Sequence, residues 1–279
     1  MKPAVKYLKE LKYDARPKLF GFAAPGPVRA QALVGLENRQ PKDFLLRHAL
    51  KDCPKYEPRV RLLESWKMDG TWGADRLYMK SHGEAAADDR ALVESIKNLY
   101  ALDLYLWDEE EEGYLEELAE KIIERSDDDG FIRMISRKAR WTEGKDTSVY
   151  ASDHWGGLAV ALLVRYGFDD PAIDSFYQYM ERTQRADGGW LPEFFVKSAG
   201  GTVDEKTMPS HPLHTYSYAT ALAIHPDYSG SDAFRRAVTF LLGVCFTDTC
   251  PYSRASEDRW YSLTWPLAII FLRGDCVLT

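Results

Sequence analysis

Several things are scarce in this chain, and each scarcity excludes something. Its 279 residues hold four cysteines, and Cys53, Cys245, Cys250 and Cys276 are too few and too uneven for a disulfide framework. Buried, reduced thiols are expected instead. Cys245 and Cys250 have no second close pair with which to build a zinc knuckle. Positive charge is also short: 36 Lys and Arg face 43 Asp and Glu, a net of -7. A phosphate backbone calls for a basic face, so nucleic acid is not an expected partner. No apolar run reaches the roughly 20 residues of a membrane span; LAVALLVRYGF is broken by Arg165. The N-terminus lacks a signal-peptide core, which makes cytoplasmic residence the expectation. Strand-like alternation, a GxSxG elbow and a GxxxxGKS loop are all missing.

What is present is a recurring turn. In YMERTQRADGGW an amphipathic helix ends near Gln184, Gly188 and Gly189 allow a sharp turn, and Trp190 follows, placed to fold back over the helix end. The glutamine amide is expected to satisfy orphan carbonyls at that end. Related cues stand at SWKMDGTWG (Trp66, Gly70, Trp72), at ERSDDDGFI (Ser126, Gly130, Phe131) and, degenerately, at FTDTCPY (Phe246, Cys250, Tyr252). Their spacing is close to sixty residues, which marks a repeat architecture.

Two helices are expected in each period. A polar-faced helix leads into the cue, over about 57 to 67, 111 to 126, 171 to 184 and 231 to 243. An apolar, alanine- and aromatic-rich one follows, over about 85 to 106, 148 to 166, 213 to 224 and 259 to 272. Prolines 41, 54 and 58 punctuate shorter helices over about 28 to 38 and 42 to 52. The loop from Pro192 to Pro212 reads as an insertion.

The order of aromatic, glutamine, glycine and tryptophan resembles the QW motif of the terpenoid cyclases and, more distantly, of the protein prenyltransferase beta subunits. The resemblance implies an all-α fold, an α/α toroid of outer and inner helices surrounding a cavity. Residues 1–279 would form one domain of about five helix pairs, fewer than the family's six. Residues 1–56 would supply helices that complete the ring, and 57–279 the four repeats.

It also implies where chemistry would sit. Class II cyclases protonate an alkene with a DxDD motif at an inner helix start; here EAAADDRAL keeps the last two acids, Asp88 and Asp89, with Ala86 in place of the first. A carboxyl beside another in a dry pocket stays protonated, as an acid catalyst must. The competing account is that both are helix N-terminal acids favoured by the macrodipole. A DDxxD site for class I chemistry is missing. Prenyltransferases bind zinc with an Asp-x-Cys and a histidine one repeat later; ASDHWGGL places Asp153 and Trp155 at the first pair and HTYSYATAL places His214 at the histidine. Trp155 cannot bind zinc, which leaves Asp153, His154, His211 and His214 as metal-ligand candidates or as hydrogen-bonded core residues. Class II chemistry needs no cofactor, and zinc or magnesium stays an open alternative.

Trp155, Tyr216, Tyr218, Trp260 and Trp265, with Tyr150 and Tyr261, fall at inner helix starts. Rings placed there can solvate a polyprenyl chain or face a carbocation. The expected partner is a hydrophobic small molecule. A second copy or a partner helical barrel would complete a pocket that multi-domain cyclases build between two barrels. Two other readings stand beside the cyclase: a carbohydrate-active barrel, hydrolase or lyase, using Asp153, His154, His214 or Tyr216, and a non-catalytic binding toroid. Finally, the first eighteen residues carry six Lys and Arg against two acids, an amphipathic pattern compatible with peripheral membrane contact or, more simply, with a helix packed on the body.

Overall fold

A computed structural model describes residues 16–21, 23–35, 37–65, 84–105, 113–128, 130–132, 153–191 and 206–245. Every regular element among them is a helix: α1 (Arg16–Phe20), α2 (Gly26–Gly35), α3 (Phe44–Asp52), α4 (Glu57–Glu64), α5 (Glu84–Leu104), α6 (Gly113–Ile123), α7 (Asp153–Arg165), α8 (Pro171–Thr183), α9 (Pro212–Ile224) and α10 (Asp232–Cys245). The protein is all-α over this extent. The expected helix over 259 to 272 lies outside the described residues, as do the cues at Gly70 and Cys250.

Helix boundaries follow from local chemistry. Asp43 caps α3, its Oδ1 accepting from Leu45 N–H at 2.8 Å and Leu46 N–H at 3.2 Å. Asp170 caps α8 through Ala172 N–H at 2.8 Å, with Pro171 in the first helical position, where its missing N–H costs nothing. Ser231 Oγ accepts from Phe234 N–H at the start of α10.

Burial then separates two kinds of helix. In α6, Leu115, Leu118, Ala119 and Ile122 are buried at three and four spacing, and in α8 the same register is filled by Ile173, Phe176, Tyr177 and Met180. Each such large apolar side chain contributes about 2 kcal/mol relative to exposure. Acids such as Glu116, Glu117 and Glu120 occupy the exposed side of α6. Helix α9 is different, being buried continuously from His214 to Leu222, and α7 from Ala159 to Leu163.

The apolar helices pack in succession, α5 against α7 and α7 against α9, while α4, α6, α8 and α10 flank them. Close approach of α7 and α9 depends on Gly157, where a Cβ would lie 2.4 Å from Ser217 Oγ and 2.7 Å from Tyr218 Cδ1. Helices α5 and α7 run in the same direction, since Lys97 lies over Trp155 near one end and Asp103 meets Arg165 at the other. One cluster of buried side chains joins α5 to α10. A second, smaller one, Ala30, Leu33, Leu46, Ala49 and Cys53 with Phe20 against it, belongs to α1, α2 and α3.

Candidate functional site

Two of the four sequence cues are described, and they are the same turn. Asp127 N–H donates to Phe131 O at 3.0 Å and Gly130 N–H to Asp127 O at 2.8 Å; 58 residues later Arg185 N–H donates to Gly189 O at 3.0 Å and Gly188 N–H to Arg185 O at 3.0 Å. Gly130 and Gly188 both take left-handed backbone, φ 82° and 91°. Each is also pressed onto the following flanking helix. A Cβ on Gly130 would lie 2.3 Å from Ser175 O of α8, and one on Gly188 2.5 Å from Arg236 O of α10. Two constraints, conformational and steric, select glycine at both positions.

Trp190 folds back over the helix end as expected, but the bond to a carbonyl of that helix is the indole's and not the glutamine's. The glutamine Nε2 donates to Gly188 O at 2.9 Å and to Ala233 O at 2.8 Å, and Arg236 donates to its Oε1, so the amide ties the turn to α10. It is Trp190 whose Nε1 donates to Met180 O of the preceding helix, at 2.9 Å. The reason is reach: the extended backbone at Gln184 sends its side chain away from its own helix, while the indole, 3% exposed, lies back along it.

The same turn positions the start of α9. Asp187 accepts from Ser210 Oγ at 2.6 Å, Ser210 N–H at 2.9 Å and Gly189 N–H at 3.1 Å. Arg185 donates to Met208 O, His211 N–H to Trp190 O, and Trp190 N–H to Thr215 Oγ1. Burial pushes the Asp187 carboxyl up, but donation from Ser210 and Gly189, with Arg185 nearby, outweighs it and holds the group below its ordinary value.

At this start stand His211 and His214, both buried, with their Nδ1 atoms 3.2 Å apart and their rings edge to face. One Nδ1 must carry the hydrogen and the other the lone pair. Tyr216, 4% exposed, has its phenol raised to about 12 by burial, with the Thr220 hydroxyl working the other way. Tyr218 is packed edge-on against both Phe176 and Trp190, at 5.5 and 5.2 Å between ring centres, within the interface between α8 and α9. Trp155, in the first turn of α7, carries the Lys97 ammonium 4.9 Å from its ring centre, and Glu94 holds that lysine at 2.9 Å.

Other sequence candidates are located by backbone alone. Asp153 and His154 open α7. Because α5 begins at Glu84, Asp88 and Asp89 enter its second turn, past the first turn in which the macrodipole favours a carboxylate. The side chains of these four lie outside what is described, and so do Trp260 and Trp265 altogether. Among the described residues no group of three or more His, Cys, Asp or Glu is gathered as a metal would need.

Sequence reasoning overlooked a second polar cluster, at the other ends of these helices. Arg165 Nε lies 2.5 Å from Asp103 Oδ1, and Tyr166 donates to the same oxygen at 3.1 Å. Asp103 is 6% exposed; burial raises its carboxyl above the usual range although Arg165 and Tyr166 pull it down. The Tyr100 phenol, raised well above its ordinary value by burial and by nearby Tyr216 and Asp103, has no hydrogen-bond partner among the described residues. The sequence trace of this cluster is slight: one charge of opposite sign in the last turn of α5 and of α7, 62 residues apart, with none in the last turn of α9. Compared with known proteins, the chain matches no family model and no curated protein sequence.

Proposed function

We propose that the helix pairs close into an α/α toroid and that the chain binds an isoprenoid, or another hydrophobic small molecule, among the aromatic residues at the starts of α7 and α9. The reading rests chiefly on one observation: Gln184 and Trp190 tie a left-handed glycine turn to the helices on either side of it, and that turn recurs at 126–132 with the same backbone bonds. Trp155 adds to it, since its face already accommodates a cation in the Lys97 ammonium.

In this proposal Asp88, assisted by Asp89, protonates a substrate alkene. The proton leaves as a new C–H bond and Asp88 becomes a carboxylate. Attack by the next double bond closes a ring and moves the cation along the chain. Loss of a proton from carbon to water forms the product alkene, and Asp88 regains its proton from solvent. Trp155 and Tyr216 would face that cation. Incubation with farnesyl and geranylgeranyl substrates, followed by gas chromatography and mass spectrometry, should give cyclised product, reduced about 100-fold or more in Asp88→Asn. Full activity in that variant would remove Asp88 as the acid. Mass spectrometry of material copurifying with the native protein tests the binding claim separately: a bound sugar in place of a lipid would favour the carbohydrate-active reading.

A further inference from the structure

Charge is divided very unevenly along this acidic chain. Residues 1–56 hold twelve Lys and Arg against five Asp and Glu, a net of +7, which leaves -14 for residues 57–279. Within the described part of the N-terminal segment, each acid is bound to an arginine: Glu37 and Asp43 to Arg39 at 2.8 and 3.0 Å, and Asp52 to Arg29 at 2.7 Å. Exposed Lys42, Arg47, Lys51 and Lys55 therefore stand without an acidic partner among the described residues.

Exposed apolar side chains gather in the same place. The large hydrophobics exposed among the described residues are Val28, Val34, Phe44, Leu45 and Leu50, and all lie on α2 or α3. Phe44 is 68% exposed. It shares a helical face with Arg47, His48 and Lys51, at spacings of three, four and seven, opposite the buried Leu46 and Ala49. An aromatic ring set among uncompensated cations matches the interface of an anionic bilayer, where the ring enters the headgroup boundary and the cations meet lipid phosphates and carboxylates. No helix among the described residues is long and apolar enough to cross a membrane, so the contact is peripheral.

We infer that the α2–α3 hairpin docks the protein on an anionic lipid surface through Phe44 and the cations of α3. This goes beyond the proposed reaction and does not depend on it. The full chain should sediment with vesicles of phosphatidylcholine containing phosphatidylserine, not with phosphatidylcholine alone, and added salt should release it. Replacing both cations, Arg47→Gln with Lys51→Gln, should weaken binding about 25-fold, fivefold for each charge. Phe44→Ser should weaken it about tenfold. All three side chains are exposed, so unchanged circular dichroism verifies that the variants fold. Absence of vesicle binding at low salt would overturn the inference. So would unaltered binding by Phe44→Ser, which would mark a purely electrostatic partner such as nucleic acid, or lipid-independent self-association lost in the same variants, which would mark a second copy.

Discussion

The turns at 126–132 and 184–190 share a backbone and almost no side chains. Ser126, Phe131 and Ile132 occupy the places of Gln184, Gly189 and Trp190, yet the two internal hydrogen bonds and the left-handed glycine are retained. The backbone turn is therefore specified by glycine and by the helix it presses on, and the glutamine and tryptophan are additions that bind one turn more firmly to its surroundings. Gln184 reaches the first turn of α10 at Ala233, a distance no serine side chain can cover. Ile132, 1% exposed, supplies bulk in the place of the indole but no donor.

The heaviest test of this view strikes both turns at once. Gly130→Ala and Gly188→Ala each impose left-handed backbone on a Cβ, about 1–2 kcal/mol, and drive it into a helix carbonyl. Each should lose about 3 kcal/mol or more in denaturant unfolding. Gly167 provides the control: its φ is 78°, and nothing lies within 4 Å of a Cβ there. Gly167→Ala should cost only about 1 kcal/mol. If Gly130→Ala is as mild as the control, the pressing of glycine onto α8 is not what selects it.

The side-chain additions should separate the turns that the glycines unite. Trp190→Ala should cost about 4 kcal/mol and Ile132→Ala about 3, since both empty a closed site. The distinction sharpens with smaller changes. Gln184→Ala removes bonds to Gly188, Ala233 and Arg236 and should cost about 1.5 kcal/mol, whereas Ser126→Ala should change stability by less than about 0.5. Equal effects at 126 and 184 would mean that the glutamine ties add nothing.

Much of this was legible in the sequence, and the reason is periodicity. Apolar residues at three and four spacing place α6, α8 and α10 within a few residues, continuous apolar runs place α7 and α9, and the sixty-residue period places α5 before them. The glycine cues found both described turns. What stayed hidden depends on partners distant in the chain. Nothing near Gly188 announces Arg236, and nothing near Gln184 announces Ala233, so the sequence points the amide at its own helix end while the fold gives it Gly188 and Ala233. The Asp103–Arg165 pair needs α5 and α7 side by side before its 62-residue separation acquires meaning. Tyr218 shares the first turns of α9 with Tyr216; only packing shows that it faces Phe176 and Trp190. For Asp88, Asp89, Asp153 and His154 the helix assignment is clear from sequence, and their chemistry rests on the proposal above.

The finest expected effect concerns the link from the second turn to the start of α9, where Asp187 receives Ser210 and Gly189. Because its carboxyl is held below the ordinary value of 3.8 in the folded protein, the folded state binds its proton more weakly than the unfolded state does. Stability from this group is complete above the unfolded value and disappears as pH falls through the folded one. Asp187→Asn keeps the shape but not the charge, so wild type should exceed it by about 1 kcal/mol at neutral pH. Solvent access to the carboxylate limits the effect to that scale. The gap should close on acidification to pH ~2, and Ser210 N–H should exchange faster in the variant only while the wild-type carboxylate is ionised. A gap that persists unchanged in acid would show that the side chain acts at this turn through its shape, with the hydrogen bonds to Ser210 indifferent to charge.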